Sequence, residues 1–257
     1  MNPLKRKLLS KEPAYGHLVM EFYTAGTAQI LASAGLDFVI YDMEHGRCDI
    51  NRLSELAVAG RGAGLTVIAR PPDLTAAPLG RLLDVGVHGI MVPRVENAEQ
   101  AHEIVAAVKY APDGRRGVAV GIAHDDYRAK GPGYFAQANK ETVVIAILET
   151  VAAFENLDAI LATPGLDVAW MGHYDLTVSM GIPAQFDHPR FREAWRSLAD
   201  GCRRHGVASG YMPASKAQFE DAKQTGYQVL SLGSDLSTYI QGVDAFAELA
   251  GLQQRRS

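Results

Sequence analysis

Short apolar runs, many with β-branched residues, recur along the chain and alternate with Ala- and Leu-rich stretches whose charged residues have helical spacing. The runs predict strands at residues 17–22, 37–42, 66–70, 88–93, 143–148, 166–171, 207–212 and 227–232. Nearly continuous apolar strands separated by helices are typical of a parallel sheet with a covered outer face. The number of strands therefore predicts an α/β fold, a closed (β/α)8 TIM barrel, rather than an open doubly wound sheet.

The chain is predicted to form a single domain over residues 1–257, because no composition shift or Ser- and Pro-rich linker divides it. About 250 residues is also the usual size of this barrel. The basic residues 1–15 predict a solvated N-terminal arm. The one long connection, residues 94–142, contains "APDGRRG" and "AKGPGYFAQANK", and its Gly and Pro clusters predict a lid or specificity loop over one barrel mouth.

Charge, hydropathy and cysteine content exclude several classes of protein. A formal net charge of −4 gives no overall basic character for binding nucleic acid. Gly, Asp or Arg interrupts every apolar stretch before the roughly 18 residues that a membrane helix needs. Cys48 and Cys202 can form at most one disulfide, and no secretory signal pattern precedes them. We therefore expect a cytoplasmic protein that binds neither nucleic acid nor membranes.

Ionisable residues gather where the predicted strands end. Asp42, Glu44 and His45 follow the second strand, and Arg70 closes the third. The fifth strand is followed by Glu149, and the sixth by "GHYD" at residues 172–175. Because the active site of a parallel barrel lies at the carboxyl ends of its strands, these side chains are expected to converge.

The residue types at these positions indicate metal and proton chemistry. Glu149 and Asp175 are a reasonable ligand pair for a hard divalent cation, such as Mg²⁺ or Mn²⁺, that keeps several waters. The guanidinium fork of Arg70 suits a carboxylate or an enolate oxygen. His45 is the natural proton carrier, because the ordinary histidine pKa of about 6.5 lies near working pH.

The ring of His45 needs a partner that orients it, and either Asp42 or Asp84 could serve. Asp42 and Glu44 lie on the same side of the strand, so at least one of them is expected to brace Arg70 inside the barrel. 

Two other chemistries are disfavoured. A Schiff-base aldolase needs an amine inside the barrel, but no predicted strand contains a lysine. A zinc site is poorly supported because neither cysteine has a spaced partner and the other histidines are scattered.

Ordered blocks along nearly the whole chain resemble the HpcH/HpaI family of metal-dependent pyruvate aldolases, which includes hydroxyoxoheptanedioate and dehydrodeoxyglucarate aldolases. The blocks are "DFVIYDMEHG", "VIARPP", "RLLDVGVHGIMVPRVENAEQA", "APDGRRGV", "AILET" and "GLDVAWMGHYDLTVSMGIP". The resemblance implies a class II aldolase that reversibly cleaves a 4-hydroxy-2-oxo acid to an aldehyde and pyruvate, or a close analogue such as hydroxypyruvate.

The resemblance also assigns roles to particular residues. His45 would be the base acting with Asp84, and Arg70 would hold the keto oxygen. Glu149 and Asp175 would bind Mg²⁺, Mn²⁺ or Co²⁺.

On the substrate side, the resemblance implies that backbone N–H groups around Gly172 and His173 receive the pyruvate carboxylate. Two segments near the substrate cavity depart from the family pattern: "GHYD" replaces a small Pro-Ala pair before the Asp, and "YMPASKAQ" replaces an aliphatic stretch. Met212, in the second segment, is expected to contact the substrate. His124 stands where relatives that act on acidic aldehydes tend to have an Arg. These departures favour a bulkier or neutral aldehyde.

Two rival functions fit the same barrel. A citrate-lyase-like enzyme that cleaves an acyl-CoA needs a basic surface at the mouth, where only scattered Arg115, Arg116 and Arg128 are candidates. A barrel that only binds a keto acid would not need the catalytic residues that this sequence keeps.

The C-terminal segment "LSTYIQGVDAFAELAGLQ" has a helical apolar stripe, formed by Ile240, Val243, Phe246, Leu249 and Leu252. The stripe either packs on its own barrel or, as the resemblance suggests, belongs to a helix exchanged between subunits. The resemblance implies a homo-oligomer, a trimer or a hexamer.

Overall fold

Eight parallel strands close into a barrel in the computed structural model, which describes residues 2–73 and 79–252. Each strand pairs with the next along the chain, and β8 pairs with β1. The strands are β1 Ala14–Val19, β2 Phe38–Asp42, β3 Thr66–Arg70, β4 Gly89–Val92, β5 Val143–Leu148, β6 Val168–Met171, β7 Ala208–Tyr211 and β8 Val229–Ser234. The predicted single-domain (β/α)8 barrel is confirmed.

Helices separate the strands and cover the outside of the barrel. They are α1 Pro3–Ser10, α2 Ala25–Ser33, α3 Ile50–Gly62, α4 Leu79–Asp84, α5 Ala98–Val108, α6 Gly133–Glu141, α7 Val151–Glu155, α8 Leu157–Leu161, α9 His173–Ser179, α10 Pro189–His205, α11 Lys216–Thr225 and α12 Asp235–Leu249. A short 3-10 turn, Ala123–Asp125, lies between α5 and α6.

The alternation of side chains along each strand divides the core into two layers. Alternate residues such as Phe38, Ile40 and Trp170 pack with one another inside the barrel. The residues between them, such as Val39 and Tyr41, pack outward against the helices. Strands that are buried on both faces explain why the sequence shows continuous apolar runs rather than alternation.

The first strand lies three residues earlier than predicted, at Ala14–Val19 instead of residues 17–22. Its apolar pattern continues through Met20 and Phe22, but the chain leaves the sheet there. The backbone N–H groups of Met20, Glu21 and Phe22 donate to the carboxylate of Asp235 instead of to a neighbouring strand. A side-chain acceptor far along the chain therefore sets the end of β1.

The expected solvated N-terminal arm is wrong for the described residues. Residues 3–10 form α1, which begins with an Asn2 cap and inserts the fully buried Leu4 into the interior layer. Lys5 pairs with Asp167, and Lys7 pairs with Asp37, just before β6 and β2. Basic residues that looked solvated are thus held by acids at the amino ends of the strands, and α1 closes that end of the barrel.

The long connection between β4 and β5 does not lie over the carboxyl ends of the strands within one chain. Its irregular part, residues 109–132, begins beside the amino end of β5, where Lys109 donates to the carbonyl of Thr142 at 2.8 Å. It returns there through α6. Within a single subunit, the predicted lid or specificity loop over one barrel mouth is therefore not found at the carboxyl ends of the strands.

The apolar stripe of α12 is exposed rather than packed on its own barrel. Phe246 is 75% and Leu249 is 83% exposed, and Ile240, Val243 and Leu252 are also exposed. Of the two alternatives for this helix, packing on its own chain is wrong. Within residues 2–73 and 79–252, no helix has the length and apolar character needed to cross a bilayer.

Candidate active site

A buried ion pair occupies the carboxyl ends of β2 and β3. Asp42 and Arg70 are paired in register as the last residues of these strands. The fully buried Asp42 carboxylate accepts two hydrogen bonds from Arg70, at 2.8 Å from Nε and 2.6 Å from Nη2. Burial alone would lower the pKa of Arg70, but hydrogen bonding and charge from Asp42 raise it, so the guanidinium stays charged. This confirms that a carboxylate from the "DME" stretch braces Arg70.

The turn after β2 places Glu44 and His45 beside this pair. The Asp42 carboxylate also accepts the backbone N–H groups of Glu44, at 2.9 Å, and His45, at 3.4 Å. Oε2 of Glu44 lies 3.4 Å from Nε of Arg70 and 3.7 Å from Nε2 of His45. Burial raises the pKa of Glu44, although the charges of Arg70 and His45 oppose that shift. The His45 side chain is 55% exposed and opens to the mouth.

Glu149, directly after β5, is a buried carboxylate held by backbone. Its Oε1 accepts the N–H of Arg94 at 2.7 Å. Arg94 has φ 56, the left-handed region that a residue with a Cβ adopts at some cost, so this amide is aimed by a strained turn. Burial raises the pKa of Glu149 to about 7, with the Arg94 N–H opposing and the charge of Asp175 adding to the shift.

Gly172, at the end of β6, lies directly against Glu149. A Cβ at this position would lie 2.5 Å from Oε2 and from Cβ of Glu149. Only glycine therefore allows the carboxylate to lie on the backbone of β6. The same close approach brings Glu149 beside the first turn of α9, which carries Asp175.

Glu149 and Asp175 suit a hard divalent cation. Asp175 is close enough to raise the pKa of Glu149 by repulsion, and it lies on the exposed side of α9. Among the described residues, no cluster of three or more His, Cys, Asp or Glu could enclose a metal. Two oxygen donors from the protein leave positions for water and substrate, which is how Mg²⁺ is usually held. The donor set therefore fits the predicted cation.

The backbone at residues 172–175 only partly matches its predicted role. The N–H of Gly172 donates to the carbonyl of Leu148 at 3.1 Å, so it does not point to a ligand. The first intrahelical bond of α9 runs from Leu176 to Gly172, which leaves the amides of the first turn without a partner inside the helix. An anion could therefore be bound by the backbone N–H groups of the first turn of α9, beginning with His173, but not by the N–H of Gly172.

The His173 side chain packs in an aromatic cluster. Its ring centroid lies 4.7 Å from that of Tyr174, 5.2 Å from Phe186 and 4.9 Å from Tyr211. Burial lowers the pKa of His173 to about 4, against smaller opposing effects from the Met171 carbonyl and Asp175. The ring is therefore a neutral packing group and not a proton carrier at neutral pH.

This low pKa predicts acid sensitivity of the fold. The unfolded chain binds a proton at His173 near pH 6.5 and the folded chain only near pH 4, so stability falls as the pH drops through this window. His173→Phe removes the titration and keeps an aromatic ring. Urea unfolding measures the free energy of unfolding at pH 7 and pH 4.5. Relative to wild type, the variant should be more stable by about 2–3 kcal/mol at pH 4.5 than at pH 7. The exposed control His102→Phe should show no such gain. An equal loss of unfolding free energy between pH 7 and pH 4.5 in all three proteins would contradict the assignment.

Met212 follows β7 and is half-buried at the edge of the interior layer. It lines a cavity of about 460 Å³ with His173, Tyr174, Ser234 and Thr238. The cavity opens among the loops after β6, β7 and β8, which is where a substrate subsite is expected in this fold. The predicted role of Met212 in substrate binding is compatible with this position and stays a prediction.

Asp84 does not lie beside the other predicted site residues. It ends α4, which runs from the carboxyl ends of the strands back towards their amino ends, and it accepts from Nη2 of Arg116 at 2.6 Å. His124 lies 4.0 Å from Asp84, with its ring hydrogen-bonded to Tyr134 and to the carbonyl of Ala119. In the described part of the chain, no hydrogen bond or ion pair joins Asp84 to His45. The expected His45–Asp84 pair is therefore not formed within one chain, and Glu44 is the carboxylate beside His45.

Two contributors to the site were missed by sequence reasoning. The role of Arg94 depends on its backbone N–H and a positive φ, which its residue type does not indicate. Tyr23 donates from its hydroxyl to the carbonyl of Asp42 at 2.8 Å. The position of Tyr23 directly after the apolar run that ends at Phe22 is its only signal in the sequence. That signal points to Asp42 only when the end of β1 at Val19 is known.

Comparison with known proteins shows the family of this chain. Residues 21–242 match the model of the family described as HpcH/HpaI aldolase/citrate lyase. A 2-keto-3-deoxy-L-rhamnonate aldolase of Klebsiella pneumoniae is 32% identical over 95% of this chain and 91% of its own length. A 5-keto-4-deoxy-D-glucarate aldolase of the same organism is 30% identical over 86% of each chain.

Among solved structures, an HpcH/HpaI aldolase from Desulfitobacterium hafniense superposes with a TM-score of 0.90 at 33% identity, covering 99% of this chain and 100% of that one. The similarity spans the whole barrel. The chain belongs to the HpcH/HpaI aldolase/citrate lyase family.

Proposed function

We propose that the protein is a divalent-metal-dependent aldolase that reversibly cleaves a 4-hydroxy-2-oxo acid to an aldehyde and pyruvate, or a close analogue such as hydroxypyruvate. The observation that carries the proposal is the placement of Glu149 and Asp175 at the same barrel mouth as the buried Asp42–Arg70 pair and the open His45. The relatives named above are aldolases of deoxy-keto sugar acids, which supports the same reaction class for this chain.

The cation would be held by Glu149 and Asp175, with water and the substrate completing its coordination. When bound, Mg²⁺, Mn²⁺ or Co²⁺ would act as a Lewis acid that stabilises negative charge on the keto oxygen. The fixed Oε1 of Glu149 restricts how this carboxylate can turn, because the Arg94 N–H holds it.

Arg70 supplies a permanent positive charge that does not move during the reaction. Its guanidinium is 14% exposed, and its Nε and Nη2 are fixed by Asp42, so the side chain is already oriented before substrate enters. Preorganised charge of this kind stabilises a developing oxyanion without reorganisation. Arg70 would therefore bind the keto oxygen of the substrate.

His45 would accept the proton of the 4-hydroxyl group. The C3–C4 bond then breaks, its electron pair passes to the keto acid as an enolate, and the aldehyde leaves. The proton held by His45 passes to C3 and gives the methyl group of pyruvate. Glu44, 3.7 Å from Nε2 of His45, favours the charged ring after proton transfer. The resemblance gives this supporting role to Asp84. A pair between His45 and Asp84 would require a second subunit, because Asp84 is bound to Arg116 in its own chain.

The aldehyde would enter from the cavity lined by Met212, Tyr174 and Thr238. The cavity lining presents several hydroxyl groups and a thioether, with Lys216 as a charged member. The resemblance, in which an Arg stands where this chain has His124, favours a neutral hydroxyaldehyde over an acidic one. The test is condensation with pyruvate or hydroxypyruvate and Mn²⁺. We expect a neutral hydroxyaldehyde to give a higher kcat/KM than a semialdehyde acid of the same length, and the reverse order would overturn the aldehyde assignment.

The exposed stripe of α12 supports a homo-oligomer, a trimer or a hexamer, in which this helix packs on another subunit. Phe246→Lys would place a charge in that interface, so we expect light scattering at micromolar concentration to show an oligomer for wild type and smaller species for the variant. Leu9→Lys is the matched control, because Leu9 is 66% exposed on α1. A monomeric wild type would contradict the proposal.

The cysteines agree with a reducing compartment. Cys48 and Cys202 are both free and buried, so neither forms the single disulfide that their number would allow. Because free thiols are usual in the cytosol, a cytoplasmic location is proposed for the protein.

A further inference from the structure

Asp235, the first residue of α12, is a buried carboxylate that none of the chemistry above uses. It is 7% exposed, and it holds the turn that follows β1. Its Oδ1 accepts the N–H of Met20 at 3.0 Å, and its Oδ2 accepts the N–H groups of Glu21 at 3.0 Å and Phe22 at 2.7 Å. Successive N–H groups that converge in this way form a concave anion site, and here the anion is a side chain from more than two hundred residues later.

The turn held by Asp235 leads directly to Tyr23, which touches the catalytic end of β2. The Tyr23 hydroxyl donates to the carbonyl of Asp42 at 2.8 Å. The carboxylate of the same Asp42 binds Arg70 and the backbone N–H groups of Glu44 and His45. Hydrogen bonds and short covalent segments of the chain therefore join Asp235 to the turn that carries His45.

Gly46 shows how closely the two turns fit. A Cβ at Gly46 would lie 1.8 Å from the Tyr23 hydroxyl oxygen, 2.7 Å from the carbonyl oxygen of Asp42 and 2.9 Å from that of Met20. The turn after β2 therefore lies directly on the residues that Asp235 fixes. A displacement of residues 20–23 towards the second turn would press on Gly46, and a displacement of Tyr23 away from it would break the hydrogen bond to Asp42.

We propose that Asp235 is a positioning residue for catalysis, which fixes the turn of residues 20–22 and, through Tyr23, the orientation of His45 and Asp42. The inference rests on the proposed function for its catalytic consequence. Asp235 does not touch the substrate region itself. Its effect is to hold the proton carrier in one geometry. Glu149, which follows β5, and Asp175, on α9, would hold the cation on elements separate from this turn.

The kinetic test compares Asp235→Asn with Tyr23→Phe. Because small misplacements of a catalytic group can lower rates by up to about 100-fold, we expect Asp235→Asn to lower kcat about 10- to 100-fold and Tyr23→Phe less. The KM for pyruvate and the affinity for Mn²⁺ should stay within about twofold of wild type. Asp235→Glu, which keeps the charge and both acceptor oxygens, should recover part of the loss.

A double variant separates positioning from general destabilisation. If Asp235 acts through Tyr23, adding Tyr23→Phe to Asp235→Asn should cause little further loss of kcat, because both changes release the same turn. The matched control is Asp37→Asn, which removes a buried carboxylate that accepts the N–H of Tyr15 at 2.9 Å at the other end of β1. It should lower stability and leave kcat unchanged. Fully additive losses, or an equal loss of kcat in the control, would overturn the proposal.

Hydrogen–deuterium exchange tests the same link without any assay of activity. In Asp235→Asn, peptides covering residues 20–24 and 43–47 should both exchange roughly tenfold or more faster than in wild type, whereas Asp37→Asn should leave both unchanged. If only residues 20–24 became faster, the link to the His45 turn would be refuted. A wild-type protein that shows this linked exchange but no aldolase activity would refute the proposed function and keep the structural link.

Discussion

Replacing Glu149 by Gln, or Asp175 by Asn, should abolish aldol cleavage, because an amide oxygen binds a hard cation much more weakly than a carboxylate. Changes to groups that only support metal ligands typically cost 10–100-fold, so loss of a ligand should lower kcat/KM by more than about 100-fold. Mn²⁺ titration followed by electron paramagnetic resonance should show weaker binding in both variants. Removing the metal with EDTA should reproduce the loss in the wild type.

The matched control for this prediction is Glu155→Gln, because Glu155 is an exposed carboxylate on α7, the helix that follows Glu149. It should keep wild-type activity and Mn²⁺ affinity. If Glu149→Gln or Asp175→Asn bound Mn²⁺ as tightly as the wild type, the ligand assignment would be wrong even if the enzyme proved to be an aldolase.

His45→Ala should separate binding from chemistry. Glu149 and Asp175 can still hold the cation and Arg70 can still bind the keto oxygen, so only proton transfer is removed. A positioned general base typically contributes about 10²–10⁴-fold, so we expect a loss of that size in cleavage, with Mn²⁺ affinity nearly unchanged. Residual activity would come from water in the open mouth.

The exposed His102 on α5 provides the matched control, and His102→Ala should behave as wild type. His124 and His173 are poor competitors as bases because both rings are buried and engaged by neighbours within their own chain. If His45→Ala kept the wild-type rate while His124→Ala or His173→Ala lost it, the assignment of the base would be wrong.

The barrel, and the meeting of the candidate site residues at one mouth, could be predicted because each depends on local sequence. Strands buried on both faces give continuous apolar runs, and their carboxyl ends must face one mouth. Arg70, Glu149 and Asp175 could therefore be assigned to one site before any coordinates were known. Strand parity predicted that Asp42 or Glu44 braces Arg70, and the structure confirms this and identifies Asp42 as the main partner.

The errors concern contacts between residues distant in sequence. The N-terminal residues were expected to be solvated because their partners, Asp167 and Asp37, lie far along the chain. The end of β1 was misplaced for the same reason, because the N–H groups of the residues after Val19 donate to the distant Asp235. The predicted partner of His45 was wrong for a single chain because α4 carries Asp84 away from the mouth, whereas Glu44 is adjacent. Apolar patterning cannot indicate which distant polar groups will meet.

The most direct test of the central claim is exchange of the pyruvate methyl protons in D₂O, read by mass spectrometry with no aldehyde present. We expect the Mn²⁺-loaded protein to incorporate up to three deuterons, EDTA to stop the exchange, and added Mn²⁺ to restore it. His45→Ala should slow the exchange, and Glu149→Gln should abolish it. A metal-loaded wild type that leaves the methyl group unlabelled, or a metal-free one that exchanges at the full rate, would contradict the account.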